Sequence, residues 1–306
     1  MSFTTDVKTE ITQQALKDCC QRAQLSALIQ LNASLVIHEQ QLQLIIHSEN
    51  AATAKRIFKL LKESFAPQME LKVIKKAKLR KNNVYELEIS SKVKDILSEL
   101  GLMNDKGIQS HPSKKSVAKE CCARSYLAGA FLAAGSVNSP QKSNYHLEIV
   151  TQQEGHAQFI EGLMKRFDLP AKTIIRRNQF VTYLKASDKI SDFLRIVNAN
   201  SAVLDFEEIR IQRDFHNSLT RLDNCEVANE MKTQAAASKQ IAAIERLIQR
   251  GVIQNLDERY SLVARLRLDN PEANLNELCE LYEEETGTAI SKSGIKHRLT
   301  KLMGMV

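Results

Sequence analysis

The chain has 306 residues, 43% of them hydrophobic and 26% charged, a net charge of +7 and a pI near 9.0. These values describe an ordinary soluble globular protein of two or three domains, and the modest basic excess favours a polyanionic partner. The opening MSFTTDVKTE lacks an apolar core and no run of about 18 apolar residues occurs, so neither a signal peptide nor a membrane span is expected, which points to the cytoplasm.

In chain order, hydrophobic periodicity predicts a helix over roughly 13–32, then alternating strands near 35–47 joined at Glu39-Gln40. A helix at 50–65 carries Ile57, Leu60 and Leu61 at helical spacing. Leu71–Leu79 and Val84–Ser90 alternate as strands around Asn82-Asn83, and Ser91–Leu100 closes as a helix stopped at Gly101. Polar, breaker-rich residues 104–116 read as a linker. The order then recurs: a helix at 117–134, strands near 136–138 and 145–151, a helix at 153–167, a hairpin at 172–186 and a helix at 187–198.

The recurrence is visible in the residues themselves. Lys17-Asp18-Cys19-Cys20 matches Lys119-Glu120-Cys121-Cys122 at an offset of 119 − 17 = 102, which continues through Leu25/Leu127, Ala27/Gly129 and Ser34/Ser136. Residues 1–200 are therefore expected to be α+β, two αββαββα repeats (about 13–100 and 117–199) forming a pseudo-dimer within one chain. Because duplication builds the two-fold internally, the free protein is expected to be a monomer. Residues 201–224 read as a charged connecting helix or extended linker. From 225 to 306 an all-helical domain is expected, with helices at Met231–Arg250, Glu258–Leu268, Asn274–Glu284 and Ser291–Met303.

Six cysteines occur, at 19, 20, 121, 122, 225 and 279. The adjacent pairs lack the two- to four-residue spacing of structural zinc ligands, so the thiols are expected to be reduced and mostly buried, with no metal and no cofactor.

Two stretches carry candidate nucleic-acid contacts. On the strand after Leu71 the even-numbered residues Lys72, Lys76, Lys78 and Arg80 share a face, and Lys172 and Arg176 share one in the second repeat. Such basic ribbons suit phosphates. Near the C-terminus, Asn274 and Glu277 form a capping-box pattern, Gly287 sits in the following turn, and Ser291 caps SKSGIKHRLTKL. Ile295, Leu299 and Leu302 share one face of that last helix. Opposite lie Ser293, Lys296, His297 and Thr300, with Lys292, Arg298 and Lys301 beside them. This is the pattern of a helix–turn–helix, in which Ser293, Lys296, His297 and Thr300 would read bases and Lys292, Arg298 and Lys301 would contact phosphates.

Leu127–Ser136, LAGAFLAAGS, resembles the helix of the LAGLIDADG fold, with an echo at Leu25–Ser34, LSALIQLNAS. In homing endonucleases of that fold the acid before the terminal Gly holds the catalytic metal. Here those positions are Ala134, which has no ligand atom, and Asn32, a weak neutral one. Asp105 and Glu120 do not occupy them, so no catalytic residue is assigned and cleavage is disfavoured. Four segments in order, MSFTTDVKTEI, YLAGAFLAAGSVNSPQKSNYHLEI, NSLTRLDNCEVANEMKT and SKSGIKHRL, are similar to the WhiA family of Gram-positive bacteria.

That resemblance implies a nucleoid-associated, non-catalytic regulator that binds double-stranded DNA. It would be tied to cell division, chromosome segregation or, in spore formers, sporulation. The rivals are a division factor acting mainly through a protein partner and an active nuclease.

Overall fold

The computed structural model describes residues 2–38, 41–75 and 83–306. Lys76, Lys78 and Arg80, together with the turn at Glu39-Gln40, lie outside them. Two compact units are present, Met1–Arg213 and Asp214–Val306.

The first unit opens with a helix that periodicity did not single out, α1 (Phe3–Gln13), capped by Ser2 and burying Val7 and Ile11. The helix expected over 13–32 starts later than expected: α1 ends at Gln13, and α2 begins at Asp18 and ends at Asn32. Strands β1 (Ala33–His38) and β2 (Gln41–Ser48) follow, then α3 (Ala51–Ser64), β3 (Met69–Lys75), β4 (Asn83–Ile89) and α4 (Val93–Glu99). The expected linker holds a short hairpin, β5 (Met103–Asn104) and β6 (Gly107–Ile108). The second repeat supplies α5 (Glu120–Ala134), β7 (Gly135–Val137), β8 (Leu147–Thr151), α6 (Glu154–Arg166), β9 (Lys172–Arg176), β10 (Gln179–Leu184) and α7 (Ser187–Ile196).

Both repeats build the same antiparallel sheet, in the order β1-β2-β4-β3 and β7-β8-β10-β9. α2 and α5 pack against each other at the centre. Small residues permit the approach: a Cβ on Gly129 would stand 2.4 Å from the Gln24 carbonyl oxygen and 3.0 Å from the Ala27 Cβ. Ala27 is the repeat counterpart of Gly129, so equivalent positions meet across the pseudo-two-fold. The buried Ser125 hydroxyl donates to the Cys20 carbonyl at 2.7 Å, a second tie between the helices. α1 belongs to neither repeat's pattern and joins them, its Thr4 hydroxyl bonding both the N–H and the C=O of Val137 on β7.

A 50-residue helix, α8 (Asn200–Gln249), begins in the first unit and continues into the second. Not one Gly or Pro interrupts that stretch, and Gly251, at φ +68, follows its end. Glu10 caps its start by accepting the N–H groups of Ser201 and Ala202 at 2.7 and 3.0 Å. Within the first unit Phe206 packs on Phe3 and Tyr145, and the Arg213 guanidinium donates to three carbonyls of 140–143. The region 201–224 is thus helical throughout. In the second unit α9 (Glu258–Asp269), α10 (Leu275–Thr286) and α11 (Lys292–Met303) enclose a separate core of Ile244, Leu247, Val263, Leu278, Ile295, Leu299 and Leu302.

Candidate nucleic-acid interface

The two candidate stretches lie in different units, and each has its own geometry. In the second unit the capping box is complete: the Asn274 side chain accepts the Glu277 N–H at 3.2 Å, and the Glu277 carboxylate accepts the Asn274 N–H at 2.8 Å. Gly287, at φ +67, ends α10 in the left-handed region, where a Cβ is strained. Ser291 restarts the helix, its hydroxyl accepting the Gly294 N–H at 3.2 Å. At Gly294 a Cβ would come within 2.9 Å of the Ile290 side chain, so this glycine lets the turn close against α11. The buried Arg267 donates to the Ala273 carbonyl at 2.6 Å, pinning the α9–α10 turn. Sequence reasoning did not single out either residue, since neither an internal Gly nor an Arg on an amphipathic helix is unusual.

Ile295, Leu299 and Leu302 anchor α11 by its rear face. Ser293, Lys296, His297 and Thr300 are all exposed on the other side. Among the described residues, no acid pairs with Lys296 or His297. Thr300 spends its hydroxyl proton on the Lys296 carbonyl at 2.8 Å, leaving its oxygen as an acceptor. The flanking cations are more occupied. Arg298 is half-buried with its guanidinium over the Tyr282 ring, and the Lys301 ammonium lies 3.2 Å from the Tyr260 hydroxyl. Lys292 is exposed at the first turn.

In the first unit the strand face carries acid as well as base. Lys72 pairs with Glu88 at 2.7 Å and stands opposite Glu86 in the sheet register. The Glu88 carboxylate is the main reason its ammonium pKa is raised. Arg176 lies 3.8 Å from Glu148, which also meets His146 at 3.0 Å. Lys172 is exposed and opposes Tyr183. Of the expected strand cations, Lys72, Lys172 and Arg176 lie among the described residues. The carboxylates beside Lys72 and Arg176 escaped a reading made one strand at a time, because those partners emerge only from the pairing of strands.

Asn32 and Ala134 are the last residues of α2 and α5. Asn32 lines a cleft with His47, Leu132, Ala133 and Lys8, the last supplied by α1. Burial lowers the Lys8 ammonium to about 8 and sets it over the Phe131 ring. A cation thus stands near helix carboxyl ends, where the dipole is negative. Among the described residues, the only convergence of three or more Cys, His, Asp or Glu donors is elsewhere, at the amino ends of these helices.

Three family models tile the chain: the WhiA N-terminal LAGLIDADG-like domain over 18–103, the WhiA LAGLIDADG-like domain over 123–216, and the WhiA C-terminal HTH domain over 219–306. The chain belongs to the WhiA family. It is 45% identical to the "Probable cell division protein WhiA" of Macrococcus caseolyticus over 302 residues, covering 99% of this chain and 95% of that one. The protein of the same name from Bacillus velezensis is 44% identical over 303 residues, with 99% and 95% covered. The crystal structure of full-length DUF199/WhiA from Thermatoga maritima superposes with a TM-score of 0.59 at 22% identity, covering 100% of this chain and 98% of that one. That likeness establishes the shared fold: a degenerate LAGLIDADG-like α+β duplication followed by a helical HTH region. No helix among the described residues is long and apolar enough to cross a membrane.

Proposed function

We propose that this WhiA-family chain binds double-stranded DNA sequence-specifically through α11, does not cut it, and regulates transcription of genes tied to cell division and chromosome segregation. One observation carries the reading. Ser293, Lys296, His297 and Thr300 form an exposed stripe, with Lys296 and His297 free of acidic partners among the described residues, on a helix whose rear face is locked into a core. A helix inserted in a groove needs that combination to hold its register against base edges. The division role is supported by the name its relatives carry. Lack of cleavage is supported by the residues at the two helix ends: Asn32 offers a neutral amide and Ala134 a methyl where a metal-holding carboxylate would stand, and Lys8 lines the cleft at Asn32.

The test selects duplexes from a random pool with the full chain. A recovered motif that disappears in Lys296→Ala/His297→Ala, while bulk DNA affinity persists, supports the assignment. Selection of the same motif by that variant would remove α11 from base reading. Supercoiled plasmid with Mg²⁺ or Mn²⁺ should stay intact, and light scattering should report one 34.5 kDa chain. Imaging of a tagged chain should find it on the nucleoid. A second reading, a division factor working mainly through a protein partner, draws on exposed Phe215, Leu222 and Met231 of α8. Chromatin occupancy without matching transcript changes on deletion would favour it.

A further inference from the structure

The cysteines are less buried than their sequence suggested: Cys20 and Cys122 are buried, Cys19 is half-buried, and Cys121 is exposed. More consequential is where they lie. The pairs, 102 residues apart in sequence (121 − 19), start α2 and α5, so the pseudo-two-fold that joins those helices also joins their thiols. All four sulfurs lie within 4.8 Å of one another. Cys20 meets Cys121 along one cleft, and Cys19 meets Cys122 along the other. Each repeat contributes half of a four-ligand set, which is why the spacing rule for zinc pairs along one stretch of chain passed over it.

We propose that Cys19, Cys20, Cys121 and Cys122 form a tetrathiolate site for one divalent cation of the zinc class, clasping the two repeats at the amino ends of α2 and α5. Four thiolates select a soft, tetrahedral ion. Zn–S bonds of about 2.3 Å set sulfur–sulfur separations of about 3.8 Å in a tetrahedron. The four sulfurs therefore need to close only slightly. An iron–sulfur cluster would hold its cysteines farther apart, because sulfide bridges lie between them.

The surroundings suit the charge formed. Loading breaks four S–H bonds, forms four metal–sulfur bonds and releases four protons to solvent, with no change of oxidation state, so Zn²⁺ leaves the site at −2. Helix amino ends with unsatisfied N–H groups favour that charge, as do Lys17 and Lys119 at the two caps and Lys115 beside them. Partial exposure through Cys121 gives an entry path, and burial of Cys20 and Cys122 gives retention.

The site stands at the far end of the helices from Asn32 and Ala134, about 18 Å from Cys20 to Asn32 at 1.5 Å per residue. It is therefore distinct from the positions of Asn32 and Ala134.

The test uses the full chain, reduced and freed of metal, titrated with Co²⁺ and then Zn²⁺. The expected result is one equivalent per chain, with the visible bands of tetrahedral Co²⁺ and thiolate-to-metal charge transfer, both erased by Zn²⁺. Zn²⁺ should also raise the unfolding temperature. Cys121→Ser, at an exposed position that should leave the fold intact by circular dichroism, should shift the bands and weaken Zn²⁺ at least about tenfold, the scale that outer-shell changes alone produce. Cys225→Ser and Cys279→Ser should behave as the parent. Absence of the bands in the folded parent, or bands unchanged by Cys121→Ser, overturns the site. So does a disulfide among these four cysteines in protein alkylated at lysis.

Discussion

The strand faces of the first unit and the outward face of α11 both display cations, yet they differ in what neutralises them. On the strands Lys72 is held by Glu88 and Arg176 lies beside Glu148. On α11 Lys296 and His297 have no acid beside them among the described residues. A cation paired within its own fold must give up that partner to meet a phosphate, so its net gain is small. An unpaired one on a rigid helix gives up only water. Counting lysines would have ranked the two surfaces alike. Their carboxylate neighbours separate them.

The largest expected effect comes from loosening what holds α11. Leu299 is 1% exposed, and Leu299→Ala should cost about 2–5 kcal/mol, the range for a buried Leu truncated to Ala. Urea unfolding combined with hydrogen exchange should place the loss in α9–α11 and leave α2 and α5 protected. Specific binding should fall with it. Retained selectivity at a temperature where α11 has lost protection would show that the strands read sequence.

Acid should perturb the other region. His156 is buried on α6, its Nε2 2.8 Å from the Tyr126 hydroxyl. Burial, with His111 nearby, depresses His156 from 6.5 to about 4. Between those values the unfolded chain binds a proton that the folded chain refuses. Stability is therefore present above pH 6.5 and drains away as pH falls towards 4, by up to about 3 kcal/mol. Denaturation curves across this range should show the first unit weakening, and His156→Gln, which keeps a hydrogen-bonding group opposite Tyr126, should flatten the dependence.

Much of the fold was legible in the sequence, and the remainder shows what a linear reading misses. The duplication, the order of its strands and helices, and the capped final helices announced themselves, because each is written in local periodicity and matched residues. α1 was missed although Phe3, Val7 and Ile11 recur every four residues behind Ser2, because so short an amphipathic turn resembles any polar terminus. The Glu88 and Glu148 partners depend on strand register, and the meeting of Cys19 and Cys20 with Cys121 and Cys122 depends on how two repeats dock. Both are facts of tertiary pairing, which no spacing rule within one segment contains.

The proposed base reading predicts the next effect in size. Lys296→Ala and His297→Ala should each cost about 1–3 kcal/mol for every base edge the side chain no longer reads, and flatten the ranking among duplexes. Competition binding at fixed salt measures both. A uniform loss across all duplexes would place these side chains on phosphates instead.

The smallest effect belongs to the strands, and its sign is the sharpest check on the comparison. If Lys172 and Arg176 touch phosphates, changing both to Ala should weaken every duplex alike and lower the salt slope by at most about one unit per phosphate. Arg176 should give less than Lys172, because Glu148 already shares its charge at 3.8 Å. The complementary change is Glu148→Gln, which removes that carboxylate and keeps a polar side chain of the same shape. It should strengthen binding to all duplexes and steepen the salt slope, since it frees Arg176 and takes a negative charge off the face. Glu88→Gln should do the same for Lys72. A carboxylate change that left both affinity and salt slope untouched would mean the strand face does not approach DNA, and α11 with its flanking cations would carry the whole interaction alone.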